Sequence, residues 1–223
     1  MITAAIVAGG KGERMGSVLP KQFLKIGDRE IIIHTLEKFI SCKKIDRVAV
    51  GINPDYYDYA EKLFERYFGK DRIILINGGS DRNETINNIV TYLQKNLQLS
   101  GNDILLTHDA VRPYTDERII CDVIEAMDHC DACTAAIPST DTICTSSDGL
   151  TAEEFPDRSK LFMVQTPQAF RIKDWDEVYS SLSSAQKSIA TDVCRLFILA
   201  GKKVSIVPGS PENIKITYRS DLY

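Results

Sequence analysis

The sequence predicts an α/β fold: a Rossmann-like, mostly parallel twisted sheet with helices on both faces. Two observations carry that expectation. Short apolar, β-branched runs alternate with amphipathic stretches, the pattern that crossovers between parallel strands produce. The first apolar run leads directly into a glycine-rich loop, and sheets of this kind bind ligands beyond the carboxyl ends of their strands. With 223 residues, 43% of them hydrophobic and 26% charged, the chain suits one large soluble domain spanning residues 1–223.

In chain order, "ITAAIVA" reads as the first strand and "IIIHTLEKFI" as a helix, with Ile32, Leu36 and Phe39 or Ile40 at helical spacing. "DRVAVGI" is a strand. "PDYYDYAEKLFERYF" is a helix with Pro54 at its start, where proline is favoured. "RIILI" and "DILLTHD" are strands flanking a helix from about Glu84 to Leu97. A helix from about Asp116 to Met127 precedes the strand "CTAAIP", and another runs from about Asp174 to Leu182. Thr191 can cap a further helix to Ala200, and "KKVSIV" and "NIKIT" close the chain as strands. Between about Ser139 and Val164 the rhythm breaks. Turn formers and charges there lack helical periodicity, and we read the segment as a β-rich excursion from the sheet.

A net charge of −4 gives no global attraction to nucleic acid or to an anionic membrane. No cationic leader opens the chain and no apolar run is long enough to span a bilayer, so a cytoplasmic location is expected. The six cysteines are scattered. Cys130 and Cys133 form a CxxC, but no second pair or nearby His completes a metal set, and "CDACTAAIP" enters a strand rather than a helix.

The loop "AAIVAGGKGERMG" matches neither the Walker spacing nor Gly-x-Gly-x-x-Gly, which disfavours a nicotinamide oxidoreductase. What it offers is backbone amides that approach an anion closely, with Lys11, Arg14 and Lys21 to neutralise a triphosphate. A glycine-rich surface loop with solvated charges is the plainer reading. "THDAVRP" puts Asp109 and Arg112 at a strand's carboxyl end, where Asp109 either caps the next helix or serves as a hard-oxygen ligand for Mg²⁺ beside a triphosphate. "GGSDRNET" opens a helix, with Asp81 and Glu84 as a capping box and Ser80 and Thr85 available to a ribose or base. Lys215 in "ENIKIT" sits between apolar residues, where a core-facing position would not be lysine.

These motifs, with "TDT", "QTPQAF" and "TDV" in the same order and spacing, resemble the sugar-alcohol-phosphate cytidylyltransferases over residues 3–222. That family comprises the 2-C-methyl-D-erythritol 4-phosphate and D-ribitol-5-phosphate enzymes. The resemblance implies transfer of CMP from CTP to a polyol phosphate with release of pyrophosphate and a Mg²⁺ requirement. It assigns residues 8 to 16, including Ala8, Gly9, Gly10, Lys11 and Gly12, to CTP, with Arg14 and Lys21 on its phosphates. Gly79, Ser80 and Thr85 would contact the cytosine or its ribose, and Asp109 would hold the metal, supported by Arg112. Thr142 and Arg158 match positions that bind the acceptor, and Thr191 and Lys215 would line the same cleft, with Lys215 catalytic beside Arg14 and Lys21. The segment at about 139–164 corresponds to the family's β-arm, which implies a homodimer with Arg158 reaching the partner's site.

A phosphate monoester, with a second pKa of about 6, is already an anionic nucleophile at neutral pH, so no Cys-His or Ser-His pair is expected. The wording "HDAVRP", "TDVCR" and "GGSDRNETINNIV" resembles the ribitol-phosphate branch, which gives CDP-ribitol for teichoic-acid or capsule polymers, more than the methylerythritol branch of isoprenoid biosynthesis. A CTP-binding regulator without turnover is the reading of another class. Intact Arg14, Lys21, Asp109, Thr142, Arg158 and Lys215 speak against it. The chain stops at "YRSDLY", where members of the family usually continue into a terminal helix.

Overall fold

A computed structural model describes residues 1–10 and 19–222. In chain order it holds β1 (Ile2–Ala8), the two-residue strands β2 (Lys25–Ile26) and β3 (Arg29–Glu30), α1 (Ile31–Ser41), β4 (Arg47–Ile52), α2 (Tyr57–Phe68) and β5 (Ile74–Asn77). There follow α3 (Arg82–Asn96), β6 (Ile104–Asp109), α4 (Glu117–Ala126), β7 (Ala132–Pro138) and β8 (Phe162–Arg171). The series closes with α5 (Trp175–Ser181), α6 (Ser184–Ile189), α7 (Val193–Leu199) and β9 (Val204–Pro208). The main sheet has the order β5-β4-β1-β6-β8-β7-β9. Of its seven strands only β8 runs against its neighbours, so the mostly parallel sheet is as expected.

Strand alternation divides the core between the two faces. Ala4, Ile6 and Ala8 of β1 pack with Val48, Val50 and Ile52 of β4 under α1, α2 and α4. Ala5, Ala49 and Leu105 face the other way, onto Ile86, Ile89 and Leu93 of α3, Trp175 of α5 and Phe197 of α7. Both faces are dry, which accounts for the continuous apolar wording of the strands. Among the described residues, no helix is long and apolar enough to cross a membrane.

Parallel register brings four strand ends to one rim: Ala8 pairs with Ile52, Ile52 with Asn77, and Val7 with Asp109. The loops that leave this rim build the site.

The structure corrects several local expectations. "NIKIT" is not a strand. Ile216 donates one backbone bond to Val111, and its own carbonyl accepts from Lys21 Nζ, so a side chain stands where a ladder would continue. Asp192, rather than Thr191, caps α7, its carboxylate accepting from Arg195 N at 2.9 Å. Residues 140–161 hold a single bridge, between Thr145 and Glu154, in place of the β-rich excursion. There the side chains of Ser146, Asp148 and Asp157 take backbone N–H groups that a ladder would otherwise use. The extended part of this region is the start of β8, whose Phe162, Met163 and Val164 pair with β7. Pro167 within "QTPQAF" argues against a central strand and concealed β8. α6 is short, opened by a Ser183–Gln186 capping box, and was not anticipated.

Candidate active site

The loops at the rim enclose a cleft of about 960 Å³ lined by Ala8, Gly9, Gly10, Lys21, Gly79, Ser80, Arg82, Thr85, Asp109 and Lys215, among others. Its centre is Asp109, the last residue of β6, whose backbone N–H donates to Thr166 Oγ1 at 3.1 Å. The carboxylate, only 11% exposed, meets three cations: Lys215 Nζ at 2.9 Å, Arg82 Nε at 3.3 Å and Arg112 Nε at 3.6 Å. Burial alone would raise its pKa. The charges of Arg82, Lys215 and Arg112 overcome that cost and hold the carboxyl well below the usual carboxylate range.

Each cation is placed by a different part of the chain. Lys215 sits on the segment after Asn213, a buried residue whose Nδ2 donates to Thr166 O at 2.8 Å and Gln165 Oε1 at 3.2 Å. The Asn213 carbonyl in turn accepts from Arg112 Nη1 at 2.6 Å, so one buried amide fixes the strap that carries both Lys215 and the anchor of Arg112. Arg82 opens α3, where a cation is disfavoured by the positive end of the helix dipole. Its Nη1 and Nη2 are buried and have no hydrogen-bond partner among the described residues, and the side chain forms part of the cleft wall. Lys21 follows Pro20 in a 3₁₀ turn, its Nζ 3.0 Å from Ile216 O. Beside it, buried Gln22 donates to Ala8 O at 2.8 Å and Gly10 O at 3.3 Å, tying the described end of the glycine loop to the turn that carries Lys21.

Gly79 and Ser80 line the cleft. A Cβ on Gly79 would lie 2.4 Å from Glu84 Cγ, so glycine is required there for packing as well as for access. Glu84 reaches back to Ser80 N at 2.7 Å and Ser80 Oγ at 2.5 Å, while Asp81 accepts from Glu84 N at 2.8 Å. The Asp81 half of the expected capping box is present, and the Glu84 half is displaced by one residue, to Ser80. Thr85 lines the cleft with a hydroxyl already committed, donating to Asp81 O and accepting from Gly79 N.

Other expected residues do not line the cleft. Arg112 is turned to Asp109 and Asn213 and does not line the cleft, and Thr191 is exposed and also outside it. Thr142 and Arg158 lie on the exposed 140–161 segment, Arg158 donating to Thr140 O at 3.2 Å, and neither touches the cleft of its own chain. Lys11, Gly12, Arg14 and Gly16 lie outside the described residues. Sequence reasoning left Arg82, Gln22 and Asn213 without roles. For Arg82 the signal was a cation in a first helical turn; Gln22 and Asn213 carry no such mark.

Behind Asp109, His108 is fully buried against Phe39, with ring centroids 4.7 Å apart, and its Nε2 lies 3.1 Å from Arg112 O. Burial pushes its pKa down to about 4, so the ring is neutral at physiological pH.

The model of the IspD family, described as 2-C-methyl-D-erythritol 4-phosphate cytidylyltransferase, matches residues 2–223. Ribitol-5-phosphate cytidylyltransferases from several strains of Streptococcus pneumoniae, R6 among them, are 44% identical over 225 aligned positions, covering 100% of this chain and 96% of theirs. Among solved structures, the 4-diphosphocytidyl-2C-methyl-D-erythritol synthase of Anaerococcus prevotii matches with a TM-score of 0.82 and 29% identity, covering 100% of this chain and 94% of that one. The 2-C-methyl-D-erythritol 4-phosphate cytidylyltransferase of Francisella tularensis matches at 0.81 and 26%, covering 99% and 96%.

Proposed function

This chain belongs to the IspD family of cytidylyltransferases, and from that premise we propose that it transfers CMP from CTP to D-ribitol 5-phosphate, giving CDP-ribitol and pyrophosphate. The single observation that carries the choice of acceptor is the 44% identity, along the whole chain, to ribitol-5-phosphate cytidylyltransferases, against 29% and 26% to the two solved methylerythritol enzymes. The cleft supports the chemistry. A phosphate oxygen of the acceptor attacks the α-phosphorus of CTP in line. The new P–O bond forms as the bond to the α–β bridging oxygen breaks, and pyrophosphate leaves with the electron pair. No general base is needed, so catalysis falls to positioning and to cations placed where negative charge develops.

Lys21, Lys215 and Arg82 supply that charge from the described walls of the cleft, and Arg14 joins them by the family reading. Asp109 keeps Lys215 and Arg82 converged on the α-phosphate position. Asp109, an ionised hard-oxygen donor, would hold Mg²⁺, which takes one or two carboxylates together with substrate phosphates, and the ion would share that carboxylate with Lys215, Arg82 and Arg112. When bound, the ion neutralises part of the triphosphate's charge.

The proposal includes a homodimer. Around the 140–161 segment, Ile143, Leu150, Phe155, Phe162, Met163 and Val164 are exposed, Leu150 to 93%, and a second copy of the arm would cover them. Thr142 and Arg158 would then serve the acceptor site of the partner. The setting is the cytoplasm. The deciding experiment is pyrophosphate release with CTP and Mg²⁺, with ribitol 5-phosphate and 2-C-methyl-D-erythritol 4-phosphate assayed side by side. We expect kcat/KM to favour ribitol 5-phosphate by at least tenfold. Preference for the methylerythritol substrate overturns the acceptor, and CTP binding without release from either overturns catalysis.

A further inference from the structure

Away from the cleft, one group of side chains brings soft and hard ligand atoms together. Cys42 caps the carboxyl end of α1, while Glu117 and Cys121 stand four residues apart on α4, hence on the same face of that helix. The two thiol sulfurs and a Glu117 carboxylate oxygen all lie within 4.8 Å of one another. We propose that Cys42, Glu117 and Cys121 form a binding site for a thiophilic divalent cation of the zinc class, which ties α1 to α4.

The geometry suits the chemistry. With Zn–S about 2.3 Å and Zn–O about 2.1 Å, ligand atoms on a tetrahedral ion sit roughly 3.5–3.8 Å apart, within reach of small rotations from the observed spacing. Exposure is graded as an entry path requires: Glu117 is exposed, Cys121 is half-buried and Cys42 is 2% exposed. Binding breaks two S–H bonds and releases two protons to solvent. Two metal–sulfur bonds and one metal–oxygen bond form, and water takes the fourth position. The bound cluster carries one net negative charge. Lys44, two residues beyond Cys42, is electrostatically coupled to both thiols and shares its charge with the Glu125 carboxylate that it bonds.

No other group of three His, Cys, Asp or Glu ligand atoms approaches so closely among the described residues. The CxxC that the sequence presents more openly, Cys130 and Cys133, is buried and not part of such a group. A cation here would stabilise the layer behind the active site, since α1 also bonds the Asp109 loop through Thr35 Oγ1 and Ala110 O at 2.9 Å.

The test uses the reduced, full-length protein titrated with Co²⁺, whose thiolate charge-transfer and tetrahedral visible bands report sulfur ligation directly, followed by displacement with Zn²⁺. One equivalent with a two-thiolate spectrum is expected. Cys121→Ser should lower affinity at least tenfold, Glu117→Gln less, and Cys144→Ser, at an exposed cysteine elsewhere, not at all. Zn²⁺ should raise the melting temperature of the wild-type chain and leave that of Cys121→Ser unchanged. Cys121 is half-buried, and circular dichroism of that variant checks its fold. Absence of the thiolate band, or its survival in Cys121→Ser, overturns the site.

Discussion

The Asp109 cage and the 140–161 segment both carry residues that the sequence assigned to substrate, yet they are built in opposite ways. Asp109 and Asn213 are buried, and the half-buried Arg112 links them by an ion pair to one and a hydrogen bond to the other, so a single chain sets their positions. Thr142 and Arg158 are exposed, and the described bonds of Arg158 reach only a neighbouring carbonyl of its own segment. A catalytic charge needs pre-organisation, which burial supplies. In the proposed homodimer, the arm with its exposed apolar side chains would acquire it from the partner.

The contrast can be tested at both ends. The largest effect is expected in the cleft: Lys21→Ala should lower kcat roughly 10²- to 10³-fold, the magnitude typical of a lost pre-organised donor, with unfolding in urea little changed. Near-normal turnover would remove Lys21 from the mechanism.

Next in size is a pH effect confined to the cage. The folded-state pKa of His108, about 4, lies below its ordinary 6.5, so between those values the unfolded chain binds a proton that the native one does not. Stability should therefore fall as pH drops from about 6.5 towards 4, by at most about 3 kcal/mol from this group. Urea midpoints at pH 7 and pH 4.5 measure it, and His108→Gln should flatten that part of the curve. The depressed pKa of Asp109 works in the same direction but at lower pH, its contribution being present above the ordinary carboxylate value and lost only as pH falls through the folded one.

A smaller effect belongs to the arm. Arg158→Ala should lower kcat/KM about tenfold without changing the melting temperature. Mixing it with Lys215→Ala should then restore activity, because exchange gives a heterodimer with one intact site. If mixing restores nothing, Arg158 does not act across an interface. Smallest is Leu150→Asp, expected to weaken the dimer by about 1–2 kcal/mol, read as a shift in the monomer–dimer equilibrium by analytical ultracentrifugation.

How much of this was legible depended on where the information resides. Apolar runs such as "ITAAIVA" and "DILLTHD" are strands because they are covered on both faces, and their wording says so directly. Asp109, Lys21, Lys215 and Gly79 were legible because charge or glycine at a strand end conflicts with simple packing. Gln22 and Asn213 were not, since an amide in a sequence looks the same whether it is solvated or holds backbone carbonyls in the core. β8 was obscured by its own Pro167, and "NIKIT" imitated a strand because a segment pinned by side chains needs the same alternation as one pinned by a ladder.

Local order and composition thus determined the class of fold, the rim on which the site lies and the cationic character of its walls, because hydrophobic period and charge placement are properties of neighbouring residues. Which cations converge on Asp109, and that Cys42 meets both Cys121 and Glu117, was decided only in three dimensions. Those contacts join segments as far apart as Arg82 and Lys215, and they depend on strand order and helix placement that no stretch of sequence contains.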